Sequence, residues 1–165
     1  MIILGVDPGS AIAGYAIIKK DKTQKSGLEV IDFGCIITDK SLPAGERLEK
    51  TYNEILKIIK KYKPDLISIE SLYFFKNLKT VMPVSQAKGV ILLAASQKRI
   101  PVIEFTPLQV KMTIAGYGRA EKKQIQAMIE KTFDLTKFDM KKNNRKKDDA
   151  FDALGVAFCA CFKNF

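Results

Sequence analysis

The stretch MIILGVDPGS, residues 1–10, is the part of the sequence that decides the fold. It holds a short apolar run from Ile2 to Val6, and the turn-forming residues Asp7, Pro8 and Gly9 follow immediately. This pattern predicts a buried strand that ends in a turn, with an acid where the strand meets the turn. Asp7 is therefore either a simple turn residue or a member of a functional site.

Beyond this stretch the pattern predicts two more strands, over 14–18 and 28–37, which complete an antiparallel meander. The elements predicted after them are a helix over 43–62, a strand over 66–69, a helix over 84–97, a strand over 101–105, helices over 107–114 and 120–133, a basic loop over 136–147 and a helix over 149–162. Three antiparallel strands extended by parallel strands with crossover helices predict an α/β fold. Its mixed five-stranded sheet would carry helices on both faces.

The composition restricts the chemistry that this chain can perform. Its 165 residues include no histidine, which excludes Ser-His-Asp and Cys-His catalysis and histidine-ligated zinc. The length suits a single domain over residues 1–165. The formal net charge is +10, and residues 76–165 hold 17 basic and 8 acidic side chains. This uneven surplus favours a polyanionic partner such as nucleic acid, although solubility alone is the alternative explanation.

The cysteines and apolar segments bear on location. Three cysteines, at positions 35, 159 and 161, do not form the even framework of a secreted disulfide scaffold. The amino terminus lacks the basic region of a signal peptide, and the apolar stretch over 89–95 is far short of the ~20 residues of a membrane span. We therefore expect a soluble cytoplasmic protein with reduced thiols and no membrane partner.

Four acids lie at the ends of predicted apolar elements: Asp7, Glu70, Asp149 and Asp152. If the first and fourth strands are neighbours, the final helix could bring all four carboxylates into one small volume. Clustered carboxylates raise one another's pKa, and divalent cations such as Mg²⁺ or Mn²⁺ relieve this repulsion. Two such ions about 4 Å apart can activate water and stabilise the leaving oxygen of a phosphodiester.

Each acid also has an ordinary alternative role. Glu70 could pair with a lysine, and Asp152 could be an exposed helix residue. Asp148 or Asp149 could cap the final helix, where negative charge is favourable. Spacing does not choose between Asp148 and Asp149, since both share a helix face with Asp152.

Six motifs extend along nearly the whole chain: GVDPGS (5–10), IE (69–70), SQAKG (85–89), VKMT (110–113), GYGRAEKKQ (116–124) and DAFDAL (149–154). In this order and spacing the set resembles the RuvC-type Holliday-junction resolvases. The resemblance implies a ribonuclease-H-like fold, a homodimer and Mg²⁺-dependent nicking of four-way DNA junctions during recombination and repair. It also implies cooperation with a RuvA–RuvB branch-migration complex, and products with 5′-phosphate and 3′-hydroxyl ends.

The resemblance also assigns roles to residues. It implies that Asp7, Glu70, Asp149 and Asp152 bind two metal ions, which selects Asp149 over Asp148, and that Lys122 is catalytic near the scissile phosphate. It implies a base-stacking ring at Tyr73, although the adjacent Phe74 and Phe75 leave open which ring stacks. The expected DNA-binding residues are Tyr73, Phe74, Lys76, Asn77, Lys111, Arg119, Lys122, Lys123, Lys146 and Lys147.

Two further surfaces follow from the sequence. The basic residues of the loop over 136–147 are expected to contact DNA phosphates, although a solvated loop is the alternative; they are Lys137, Lys141, Lys142, Arg145, Lys146 and Lys147. The apolar helix over 84–97 is a candidate dimer face, or else it is buried within the monomer. The rival functions are a related nuclease acting on RNA, a non-catalytic junction-binding protein and an actin-like ATPase, for which the chain is short.

Overall fold

The computed structural model describes residues 1–21, 27–71 and 78–163, and of residues 78–80 it describes the backbone alone. The strands are β1 (Ile2–Asp7), β2 (Ile12–Lys20), β3 (Leu28–Ile37), β4 (Leu66–Glu70) and β5 (Val102–Phe105). The helices are α1 (Ala44–Tyr62), α2 (Leu78–Gln97), α3 (Pro107–Ala115), α4 (Lys122–Thr132) and α5 (Asp148–Cys161), with a short 3₁₀ turn at Lys142–Asn144 before α5. The predicted order of elements is confirmed throughout these described ranges.

The starts of α2, α4 and α5 differ from the prediction for reasons that the structure shows. Helix α2 begins at Leu78, six residues early, because Pro83 lies inside the helix and does not start it. Helix α4 begins after Glu121, which forms a capping box with Gln124. Helix α5 begins one residue early, after the extended residue Lys147.

The described strands form one mixed sheet of order β3-β2-β1-β4-β5. Strand β1 runs antiparallel to β2 and parallel to β4, and β4 runs parallel to β5. The register pairs Val6 with Ile69. Asp7 and Glu70 therefore terminate neighbouring parallel strands at the same end of the sheet. The expected mixed five-stranded sheet is confirmed, and its two acid-bearing strand ends are adjacent.

The two faces of the sheet are covered by different helices. Ile55 of α1 and Ile91 of α2 pack with Leu4 and Val6 of β1 on one face. Helices α3, α4 and α5 cover the other face, where Ile3 of β1 joins their apolar side chains. Helices on both faces are therefore confirmed, and the central strand β1 is buried from both sides.

Helix α5 lies unusually close to the sheet. A Cβ atom on Gly14 of β2 would overlap the backbone carbonyl oxygen of Asp149, and one on Gly5 of β1 would overlap the carbonyl oxygen of Ala153. Only glycine leaves room for this approach. The two glycines thus set the depth at which the first turns of α5 lie against the sheet.

The three cysteines, all within the described ranges, are buried free thiols. Of the helices in the described ranges, none combines the length and apolar character needed to cross a membrane.

We predict that Gly14→Ala destabilises the fold by about 1–3 kcal/mol, because the new methyl group must displace the backbone of α5. The matched control is Gly45→Ala in the first turn of α1, where a Cβ would meet no atom within 4 Å. Alanine there should be neutral or should stabilise by up to about 1 kcal/mol. Chemical denaturation of both variants measures the difference. Equal stability of the two variants would contradict the tight contact between α5 and β2.

Candidate active site

Asp7 and Glu70 form the sheet side of the candidate site. Asp7 is the last residue of β1 and Glu70 is the last residue of β4. Both are half-buried, and because β1 and β4 are parallel neighbours, their side chains lie at the same end of the sheet. The condition on which the predicted acid cluster depended, that these two strands are adjacent, is met.

Helix α5 forms the other side of the site. Asp149 lies in its first turn and Asp152 follows three residues later, both half-buried. The side chain of Asp148 is 65% exposed, whereas that of Asp152 is 29% exposed. The cap position is Lys147 and no side chain makes a capping hydrogen bond, so neither Asp148 nor Asp149 is the cap residue. Both nevertheless lie in the first turn, where their negative charge is favourable.

The electrostatics show that the four acids share one environment. Burial raises the pKa of the Asp7 carboxyl well above its ordinary value, and the charges of Glu70, Asp152 and Asp149 raise that pKa further. Burial, together with the charge of Asp152, raises the pKa of Glu70 to about 7, although a hydrogen bond with Asp7 partly opposes the rise. Burial also raises the pKa of Asp152. Three of the four carboxyls are therefore costly to ionise together without added positive charge.

Lys122 supplies positive charge at the edge of this cluster. It is the first residue of α4, and its Nζ lies 2.7 Å from Asp152 Oδ2 and 3.5 Å from Asp148 Oδ2. Burial alone would lower the pKa of Lys122, but its contacts with Asp152 and Asp148 raise it above the ordinary value. The half-buried Lys111 on α3 also acts here, because its charge lowers the pKa of Glu70.

The four carboxylates have the chemistry of a divalent-metal site. All four acids offer oxygen ligands, which Mg²⁺ and Mn²⁺ prefer, and the raised pKa values of Asp7, Glu70 and Asp152 reflect in part the repulsion that a divalent cation relieves. Within the described ranges, however, no three His, Cys, Asp or Glu side chains are arranged, as they stand, so that they could hold a metal ion. The ammonium of Lys122 contacts one Asp152 oxygen directly. The residues therefore fit a metal ion in chemistry and position, but their side chains would have to rearrange to bind one.

A set of contacts next to Glu70, which supports the end of β4, was not predicted from the sequence. Ser71, the next residue, donates from its hydroxyl to Glu104 Oε2 over 3.3 Å. Lys88 of α2 donates to the same oxygen over 2.6 Å, and its side chain is only 14% exposed. This chain of contacts ties the end of β4 to β5 and α2. The only sequence signal was the position of Lys88 inside the SQAKG motif.

The predicted DNA-binding residues fall into three groups. Lys111 and Lys122 adjoin the acids, as described above. Arg119, Lys123 and Lys146 are exposed, and Lys147 is half-buried at the start of α5. Tyr73, Phe74, Lys76 and Asn77, together with Phe75, lie outside the described residues, so the question of which ring stacks on a base stays open.

The prediction that Arg145 contacts a DNA phosphate is wrong. Arg145 is 6% exposed, and its Nη2 lies 2.6 Å from Oδ1 of the buried Asp32 on β3. Lys137 also has a partner, since its Nζ lies 3.0 Å from Glu29 Oε1. Sequence reasoning missed both contacts because the partners lie on a distant strand, and a run of basic residues gives no sign of which one is buried.

Helix α2 is buried within the monomer along one side and exposes apolar side chains on another. Ala87 is buried, and Ile91 and Ala94 are buried in the cluster that includes side chains of the sheet. Met82 and Leu93 are 65% and 51% exposed. A second, exposed apolar surface is therefore available on the same helix.

Comparisons with known proteins agree with this architecture. The family model described as crossover junction endodeoxyribonuclease RuvC matches residues 3–160. A relative of that name from Fusobacterium nucleatum is 51% identical over 94% of this chain and 77% of its own length. One from Halothermothrix orenii is 47% identical over 96% of this chain and 91% of its own length.

A solved structure extends the agreement to three dimensions. It is described as T. thermophilus RuvC in complex with Holliday junction substrate, and it superposes with a TM-score of 0.86 at 25% identity. The alignment covers 98% of this chain and 93% of that one. The ribonuclease-H-like fold implied by the motifs is thus confirmed. From its sequence and its fold alike, the chain belongs to the crossover junction endodeoxyribonuclease RuvC family.

Proposed function

We propose that this protein is an endonuclease that resolves Holliday junctions by paired nicks during DNA recombination and repair. The observation that carries the proposal is the convergence of Asp7, Glu70, Asp149 and Asp152 at one end of the sheet, next to Lys122. Relatives at 47–51% identity are named crossover junction endodeoxyribonucleases, which supports the same activity here. The basic carboxyl-terminal half supplies the charge that a DNA substrate requires.

In this proposal the four acids hold Mg²⁺, or Mn²⁺, as a pair of ions. Bound ions would activate water and stabilise the leaving oxygen, giving 5′-phosphate and 3′-hydroxyl ends. The acids are suited to this because burial and mutual repulsion raise the pKa values of Asp7, Glu70 and Asp152. Neutralisation of their charge would therefore be strongly favourable.

Lys122 then contributes the protein's own positive charge to the reaction. Its ammonium contacts Asp152 and Asp148, and a phosphate group close to the acids would offer it a further anionic partner. A cation fixed at this point would stabilise negative charge that develops on the phosphate. Lys111, whose charge acts on Glu70, would help to hold the same phosphate.

We propose that residues 1–165 act as one domain and that the protein works as a homodimer in the cytoplasm, together with a RuvA–RuvB complex. A four-way junction has near-twofold symmetry, so a twofold dimer can present two sites to two opposed strands. The exposed side chains of Met82 and Leu93 on α2 support that helix as the dimer face. The exposed Arg119, Lys123 and Lys146 would contact the DNA backbone.

The activity is tested with a panel of substrates. A synthetic mobile four-way junction, a linear duplex and an RNA–DNA hybrid are incubated with the protein in Mg²⁺ and, separately, in EDTA. We expect symmetric nicks in the four-way junction and in neither other substrate. We expect these nicks in Mg²⁺ and not in EDTA. Preferential cleavage of the hybrid would identify a nuclease acting on RNA. Junction binding without cleavage in Mg²⁺ or Mn²⁺ would identify a non-catalytic binding protein.

We predict that Asp7→Asn and Glu70→Gln each lower junction cleavage by more than about 100-fold, because each removes an anionic oxygen ligand. Junction binding, measured by fluorescence anisotropy in EDTA, should stay within about twofold of the wild type, because the phosphate contacts are unchanged. The matched control is Glu54→Gln on the surface of α1, which should cleave normally. Cleavage by Asp7→Asn at the wild-type rate would remove this carboxylate from the site.

We predict that neutralising Lys141, Lys142 and Lys146 to glutamine weakens junction binding for all sequences. These lysines lie in the loop before α5, whereas the buried Arg145 is not expected to bind a phosphate. For every phosphate that the variant no longer neutralises, the slope of log affinity against log salt should become shallower by about 0.9. The control is Lys60→Gln in the last turn of α1. Helix α1 leads into the start of β4, whereas the acid Glu70 lies at the other end of that strand. An unchanged slope in the triple variant would exclude the loop from the interface.

A further inference from the structure

A buried ion pair closes the outer edge of the sheet. Strand β3 is an edge strand of the described sheet, and Asp32 lies in it with 8% of its surface exposed. Arg145, from the segment that leads into α5, reaches this edge and is also buried. A cation within the basic loop is thus directed into the protein, although its lysine neighbour Lys146 is exposed.

The guanidinium of Arg145 makes three directed hydrogen bonds. Its Nε donates to the carbonyl oxygen of Phe33 over 3.0 Å, and its Nη1 donates to the carbonyl oxygen of Asp139 over 2.9 Å. Its Nη2 donates to Asp32 Oδ1 over 2.6 Å. The same group lies 5.5 Å and 5.0 Å from the ring centroids of Phe33 and Phe138. The fixed fork of arginine therefore has one orientation here.

Asp32 carries the network across the sheet to other elements. Tyr62, the last residue of α1, donates to Asp32 Oδ2 over 2.6 Å, and Tyr15 of β2 donates to the same oxygen over 3.3 Å. Asn143 in turn donates to the hydroxyl of Tyr15 over 3.2 Å. Although burial opposes ionisation, the hydrogen bonds from Tyr62 and Arg145 hold the pKa of Asp32 below its ordinary value.

The network adjoins the start of the helix that bears two of the four acids. Arg145 precedes Asp149 by four residues, and Lys147 between them is the cap of α5. A Cβ on Gly34 of β3 would overlap the carbonyl oxygen of Asn143, so the segment before α5 lies directly on β3. Gly14 makes the equivalent close approach at Asp149 itself. The backbone is thus fixed immediately before and within the first turn of α5.

We propose that Arg145 and Asp32 form a positioning pair, which holds the start of α5 so that Asp149 and Asp152 face Asp7 and Glu70. Neither residue of the pair is a catalytic residue. This inference rests on the proposed function, since the four acids are its object. A buried ion pair need not stabilise a fold more than apolar side chains would, but its bonding geometry permits few alternative arrangements. Its function here is to fix the geometry of the acids.

The test uses Arg145→Met, which keeps the aliphatic bulk and removes the three hydrogen bonds, and Arg145→Lys, which keeps the charge. Mn²⁺ binding to the DNA-free protein is measured by electron paramagnetic resonance at a temperature where each variant is folded. We expect Arg145→Met to weaken Mn²⁺ binding and single-turnover junction cleavage by about 10–100-fold. Junction affinity in EDTA should stay within about twofold, and Arg145→Lys should recover part of the Mn²⁺ affinity. If Arg145→Met does not fold, a loss of Mn²⁺ affinity in Arg145→Lys with unchanged junction affinity supports the proposal in its place.

Two controls separate positioning from other roles. Lys131→Met removes an exposed charge in the last turn of α4, outside the residues assigned to the acid site or to DNA, and should leave Mn²⁺ affinity unchanged. Ile55→Val weakens the core on the face of the sheet that α5 does not cover, where Ile55 is fully buried. This variant should have a lower melting temperature and unchanged Mn²⁺ affinity.

Three results would overturn the inference. The first is wild-type Mn²⁺ affinity in every Arg145 variant that folds. The second is weaker junction binding with unchanged Mn²⁺ affinity, which would make Arg145 a DNA contact. The third is an equal loss of Mn²⁺ affinity in Ile55→Val, which would reduce the effect to general destabilisation. A wild-type protein that neither binds Mn²⁺ nor cuts junctions would instead contradict the proposed function.

Discussion

The close contact between helix α5 and the sheet is the constraint on which the site depends. Gly5 and Gly14 leave no side chain between the backbone of α5 and strands β1 and β2. Asp149 and Asp152 are carried by the turns of α5 that make this contact, so their carboxylates come near the ends of β1 and β4. A bulkier residue at either glycine would separate the two halves of the acid cluster.

The charge distribution follows from the same packing. Four acids lie close together in a chain with a net charge of +10, and their proximity adds to the rise that burial causes in the pKa values of Asp7 and Glu70. Lys122 and Lys111 lower the pKa of Glu70 but do not cancel the rise. The site is therefore locally short of positive charge within a basic surface. Such a site favours divalent cations, and the basic surface around it favours a polyanion.

Much of the fold and of the acid cluster could be predicted from the sequence. The features that could not be predicted have physical reasons. Strands β1 and β4 could be identified from short apolar runs that end in an acid. The apolar pattern of a strand and the turn residues that follow it are local features, so they can be read directly from the sequence. Helix spacing could not separate Asp148 from Asp149, whereas packing exposes Asp148 and half-buries Asp149. Arg145 was misplaced because its partner Asp32 lies 113 positions away, and a local basic run cannot reveal such a contact. The start of α2 was missed because Pro83 is tolerated inside that helix.

The central claim is that Asp7, Glu70, Asp149 and Asp152 together bind divalent metal ions. Anomalous diffraction at the manganese absorption edge, from crystals soaked in Mn²⁺, tests this claim most directly. We predict anomalous peaks within bonding distance of carboxylate oxygens from β1, β4 and α5, and their absence from crystals of Asp7→Asn. Manganese peaks confined to other surfaces of the protein, with none among these four carboxylates, would contradict the claim.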